Sequence, residues 1–115
     1  MSETASAPEP AYHLHLAADE TPVAASALRL LISDEAHEPT IRRLAREVLG
    51  GLQAQPDERG GVVLALSPPQ MKIAHSALRL LLNDLQRQQK DEREILRRIL
   101  DKLPDEHTMR AIELA

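Results

Sequence analysis

Apolar and polar residues alternate at Tyr12-His13-Leu14-His15-Leu16, which predicts a strand with one buried face. The period then changes. Val23, Ala24, Ala27, Leu28 and Leu31 recur at helical spacing, so a helix is expected from Thr21-Pro22 to about Ser33. Thr21 suits the N-cap, and Pro22 suits the first helical position, where a missing N–H costs nothing. Asp34 to Pro39 is a polar connector. A second helix from about Thr40 aligns Ile41, Leu44, Ala45, Val48, Leu49 and Leu52, and Gly50-Gly51 weakens its end. Gln53 to Gly61 is polar and holds Pro56 and Gly60-Gly61, a turn signal.

The pattern then restarts. Val62-Val63-Leu64-Ala65-Leu66 reads as a second strand. Ser67-Pro68-Pro69-Gln70 has the form of a capping box. The third helix carries Ile73, Ala74, Ala77, Leu78 and Leu81 and runs to about Asn83. The fourth, about Asp91 to Leu103, turns Ile95, Leu96, Ile99, Leu100 and Leu103 inward and pairs Glu94 with Arg98 on its outer face.

This restart is a repeat. Ser26-Ala27-Leu28-Arg29-Leu30-Leu31 returns fifty positions later as Ser76-Ala77-Leu78-Arg79-Leu80-Leu81. The flanks follow: Leu14/Leu64, Leu16/Leu66, Val23/Ile73 and Ala24/Ala74 at the same offset. At an offset of fifty-one come Leu44/Ile95, Arg46/Arg97, Val48/Ile99, Leu49/Leu100 and Leu52/Leu103. A duplicated unit of about fifty residues, with one inserted residue, explains both offsets. The tail extends the repeat, since Pro104-Asp105-Glu106-His107 resembles Pro56-Asp57-Glu58-Arg59. By that register Arg110 to Leu114 is a third strand; a short final helix through Met109 and Ile112 is its rival.

The expected fold is therefore α+β. It consists of internally duplicated β-α-α units, with an antiparallel two- or three-stranded sheet and four helices packed on one face. Residues 1–10 are small, acidic and Pro-containing, and are expected to be disordered. Residues 11–115 form a single domain of two repeats, about 12–53 and 62–103, plus a C-terminal strand or short helix. Tyr12, Leu14, Leu16, Val62, Leu64, Leu66, Ile112 and Leu114 make the helix-covered sheet face. His13, His15, Val63, Ala65, Ala111 and Glu113 make the other, the expected interaction surface, which either meets water or a second copy.

Composition narrows the chemistry. Tyr12 is the sole aromatic residue, so the core is aliphatic. The absence of Cys excludes disulfides, thiolate catalysis and Cys-based metal sites. A net charge of −4 with mixed signs gives no general attraction to nucleic acid or to an anionic membrane. A basic segment followed by an apolar run is missing at the start, and no apolar stretch approaches the ~18 residues of a membrane span. A cytoplasmic location is expected, and the excess of Arg over Lys points to a GC-rich bacterial genome.

His13 and His15 fall on one side of a strand, roughly 7 Å apart. With Glu113 they are candidate ligands for zinc, nickel or copper. The preferred reading is a pair of amphipathic side chains on a half-exposed or dimer-buried strand, with no metal and no cofactor. His37, His75 and His107 are scattered. Arg29/Arg79, Arg42/Arg93 and Arg46/Arg97 recur in both units and suit phosphate or carboxylate. A solvated face with salt bridges is the preferred reading of these too. The Gly-Gly pairs lack the context of a phosphate-binding loop, and Ser26 and Ser76 lie within helices without a nucleophile elbow.

No catalytic motif remains, and no enzyme is expected. The expected function is that of a small non-enzymatic cytoplasmic protein acting through protein–protein contacts, as a homodimer and with a regulatory role open to it. A metal-binding protein using His13 and His15 is one alternative. Another is a single-chain tandem of ribbon-helix-helix type that binds DNA, because a strand followed by two helices is also the plan of those proteins. The ribbon face lacks the Arg, Lys, Asn and Gln donors that read bases, so nucleic acid is not the expected partner.

Overall fold

The computed structural model describes residues 12–34, 37–53, 60–86 and 88–112. Along them run β1 (Tyr12–Leu16), α1 (Thr21–Ser33), α2 (Pro39–Leu52), β2 (Val62–Leu66), α3 (Pro68–Asp84), α4 (Lys90–Asp101) and α5 (Glu106–Arg110). This is a small, helix-rich α+β fold. Its sheet, among the described residues, has two antiparallel strands. The expected disordered segment 1–10 and Glu113 lie outside the described residues.

The strands pair with Leu14 opposite Leu64, His13 opposite Ala65 and His15 opposite Val63. Alternation sends Leu14, Leu16, Val62, Leu64 and Leu66 into the core and leaves His13, His15, Val63 and Ala65 exposed. Helices α2 and α3 pack against β2; α1, α2 and α3 pack on one another; and α4 packs on α3 and α1. All five apolar positions expected inward on α3 are buried, as are four of the five on α1, where Val23 is half-buried. On α4, Leu96 and Ile99 are buried, with Leu103 just beyond its end, while Ile95 and Leu100 are half-buried. The buried side chains form one continuous aliphatic core.

Local chemistry starts the helices. Ser67 Oγ accepts from the Gln70 N–H at 3.3 Å, and Gln70 Oε1 accepts from the Ser67 N–H at 3.0 Å, completing the predicted capping box. At α1 the N-cap is Glu20 rather than Thr21, and Thr21 Oγ1 instead donates to the Ala17 carbonyl at 3.1 Å.

The tail departs from the preferred strand reading. Residues 106–110 form α5, so Ala111 is that helix's C-cap and not a strand residue beside Val63 and Ala65. The cause is local. Asp105 accepts from the Thr108 N–H at 2.8 Å as an N-cap, and Met109 is buried where α5 meets α3. One cap and one buried anchor outweigh the weak alternation of a five-residue segment. The expected Glu94–Arg98 pair also gives way, because Arg98 reaches across to Asp19 and Glu20.

Candidate interaction surface

The exposed ribbon face is built by two five-residue strands. None of their ten residues is Asp, Glu, Lys or Arg. Val63, 52% exposed, is the exposed large hydrophobic side chain among the described residues. His13 and His15 flank it on the neighbouring strand, and Ala65 leaves a shallow position opposite His13. The register is symmetric about the Leu14–Leu64 pair. Each end of the face therefore presents one imidazole beside one apolar side chain.

One end of the ribbon is held by a charged cluster that sequence reasoning missed. Glu20 is buried, its side chain 2% exposed. Its Oε1 accepts from the Ala17 N–H at 2.8 Å and from Lys102 Nζ at 2.5 Å, and its Oε2 from Arg98 Nε at 3.1 Å. Arg98 also donates to Asp19 at 2.6 Å, and Lys102 to the His15 carbonyl at 2.9 Å. Tyr12 Oη donates to the Lys102 carbonyl. Burial alone raises the pKa of the Glu20 carboxyl, but the Ala17 N–H, Lys102 and Arg98 outweigh it and hold the group below its usual range. The hydrogen bond from Arg98 does the same for Asp19. The end of α4 is thereby pinned to β1 and to the loop after it. A signal for this was present: the fifty-residue offset sets Glu20 on Gln70, the capping-box residue.

The other candidates are dispersed. His75 is buried in α3, and burial together with Arg79 pushes its pKa down despite Glu106. His37 Nε2 lies 3.4 Å from Asp34, and His107 is exposed on α5. Arg29, Arg46, Arg79 and Arg97 are exposed, Arg42 is half-buried, and Arg93 donates to the Leu85 carbonyl at 3.4 Å. Among the described residues no three His, Cys, Asp or Glu side chains come together as a metal site, and no helix is long and apolar enough to cross a membrane. No protein-family model matches the chain, and neither a curated protein nor a solved structure does.

Proposed function

We propose that this chain is a small non-enzymatic interaction protein of the cytoplasm that self-associates through its exposed ribbon. The observation that carries the reading is an open sheet face without a single charged side chain, in a chain that is 28% charged. Depletion of charge is what marks the centre of a protein interface. The face is also small. Five residues span roughly 17 Å of strand, so a two-stranded face covers about 200 Å², against the ~800 Å² per partner of a stable complex. The ribbon is then the centre of a wider contact, or of a weak dimer.

We further propose that the scaffold is two copies of one β-α-α unit, with all four long helices on the same side of the ribbon. The contacts at the helix starts support this. Glu20 in the first unit reaches Arg98 in α4, and Gln70 in the second reaches Glu47 in α2 at 3.1 Å. Glu20 and Gln70 are fifty positions apart, and Glu47 and Arg98 fifty-one, the two offsets of the repeat. An exchange of partners of this kind is what a two-fold relation through Leu14 and Leu64 produces.

Sedimentation velocity over a concentration series tests self-association. Wild type should form dimers in the high micromolar range, and Ala65→Arg should sediment as a monomer with its helix content retained. A wild type that stays monomeric, or a mutant that stays dimeric, overturns the proposal.

One observation favours a second reading. The order β-α-α-β-α-α with a two-stranded ribbon matches the plan of a tandem ribbon-helix-helix protein, and a ribbon of this size fits a major groove about 12 Å wide. Its chemistry opposes that use. The face offers only two imidazoles as polar groups, the first turn of α4 carries Asp91 and Glu92 after Lys90, and the net charge is −4. Duplex binding that weakens steeply with added salt would select this reading over the first.

A further inference from the structure

From the groove between α3 and α5 we infer a binding site for a small organic anion with an apolar body. The groove has a volume of about 390 Å³, within the range of small-molecule sites. Among the described residues, Arg79, Lys72 and Arg110 line it against a single carboxylate, Glu106, in a chain that is acidic as a whole. Arg110 lies 3.6 Å from Glu106, and Lys72 donates to the Ile112 carbonyl at 2.7 Å. Arg79 makes no hydrogen bond or ion pair among the described residues. Its guanidinium, one helical turn from the exposed Ser76 hydroxyl, is free to take a carboxylate in two parallel hydrogen bonds.

Two further features point to a ligand. His37 lines the same groove, and its buried Nε2, 3.4 Å from the Asp34 carboxylate, makes no hydrogen bond. Leu31, Leu80 and Met109 also line it and give a short hydrocarbon chain an apolar surface that an inorganic ion cannot use. The chain supplies its own control. A groove at the corresponding place on α1 is lined by Ser26 and Arg29, the sequence equivalents of Ser76 and Arg79. There Pro22 stands at the position of Lys72 and Ala25 at that of His75, and Arg29 is the one cation among the described residues. The site belongs to the α3 side, and it stands whether or not the ribbon self-associates.

Calorimetric titration of the full chain with octanoate, inorganic phosphate and octylammonium tests the inference. Octanoate should bind, and shortening it should weaken binding roughly fourfold for each methylene that reaches the apolar wall. Arg79→Gln should weaken octanoate by about tenfold or more, from the lost charge-assisted bonds, while Arg29→Gln leaves it unchanged. Both residues are exposed, so neither change threatens folding. Failure of octanoate to bind at millimolar concentration overturns the inference. So does equal binding of phosphate or octylammonium, or an Arg79→Gln protein that binds like wild type.

Discussion

Glu20 and Gln70 each turn a side-chain oxygen back onto the backbone N–H three residues earlier, Glu20 onto Ala17 at 2.8 Å and Gln70 onto Ser67 at 3.0 Å. The two share this bond to a backbone N–H and differ in the charge. Gln70 is neutral and goes on to Glu47, whereas Glu20 is a buried carboxylate that also collects Arg98 and Lys102. The backbone N–H explains why an oxygen is needed at both places. The negative charge at Glu20, which Gln70 lacks, adds Arg98 and Lys102 to the bonds from Lys102 to the His15 carbonyl and from Tyr12 to the Lys102 carbonyl that tie the end of α4 to β1.

Glu20→Gln should therefore separate the two roles. It keeps an acceptor for the Ala17 N–H and removes the charge, and Arg98 and Lys102, half-exposed at 49% and 37%, can return to water. The expected loss is about 1–2 kcal/mol, while Glu20→Ala, which also abandons the Ala17 N–H, should lose about 2–4 kcal/mol. Urea midpoints of the two variants check this order. Equal losses would mean that the bond to the Ala17 N–H contributes nothing beyond the charge.

Acid should destabilise the fold in two stages. Burial, then Arg79, depresses the pKa of His75 despite Glu106, so the unfolded chain binds its proton more readily. Stability is full above about pH 6.5 and falls as the pH drops through that value towards the folded pKa. Glu20 also has a depressed pKa, so its contribution persists above about pH 4.5 and is lost as the pH falls further, through the folded value. Urea unfolding between pH 8 and pH 3 should show both stages. His75→Gln should remove the upper one, and Glu20→Gln should reduce the lower one, where Asp19 and Asp105, also depressed, still contribute. An upper stage that survives His75→Gln assigns it to another group.

Much of the scaffold was legible because it rests on short-range pattern. Alternation identified β1 and β2, and helical spacing identified the buried faces of α1 to α4, because each signal is a local consequence of having one apolar side. The capping box at Ser67 was readable for the same reason. Arg98 was not. Its opposite charges within helical reach are Glu94 and Asp101, and only the fold brings Glu20 within reach from 78 positions away. The candidate face was legible as far as His13, His15, Val63 and Ala65, whose exposure follows from period two. Its extension to Ala111 failed because the repeat register carries no information on whether a third copy has a strand to pair with. The groove below Arg79 was invisible for a related reason: α3 and α5 meet only in three dimensions.

The tail offers the sharpest test of how its residues are used. As a helix, α5 is anchored by Met109, 3% exposed, and started by Asp105, whereas Ile112 lies past its end and is half-buried. Met109→Ala should then cost about 2 kcal/mol or more, Asp105→Ala about 1 kcal/mol, and Ile112→Ala less than Met109→Ala. A third strand in the register of the repeat would invert the order, since Ile112 would occupy the place of Leu14 and Leu64 while Met109 preceded the strand. Denaturant unfolding ranks the three variants. Hydrogen exchange adds a local check, because the Thr108 amide, held by Asp105 at 2.8 Å, should lose protection in Asp105→Ala. Greater damage from Ile112→Ala than from Met109→Ala would return the tail to the sheet.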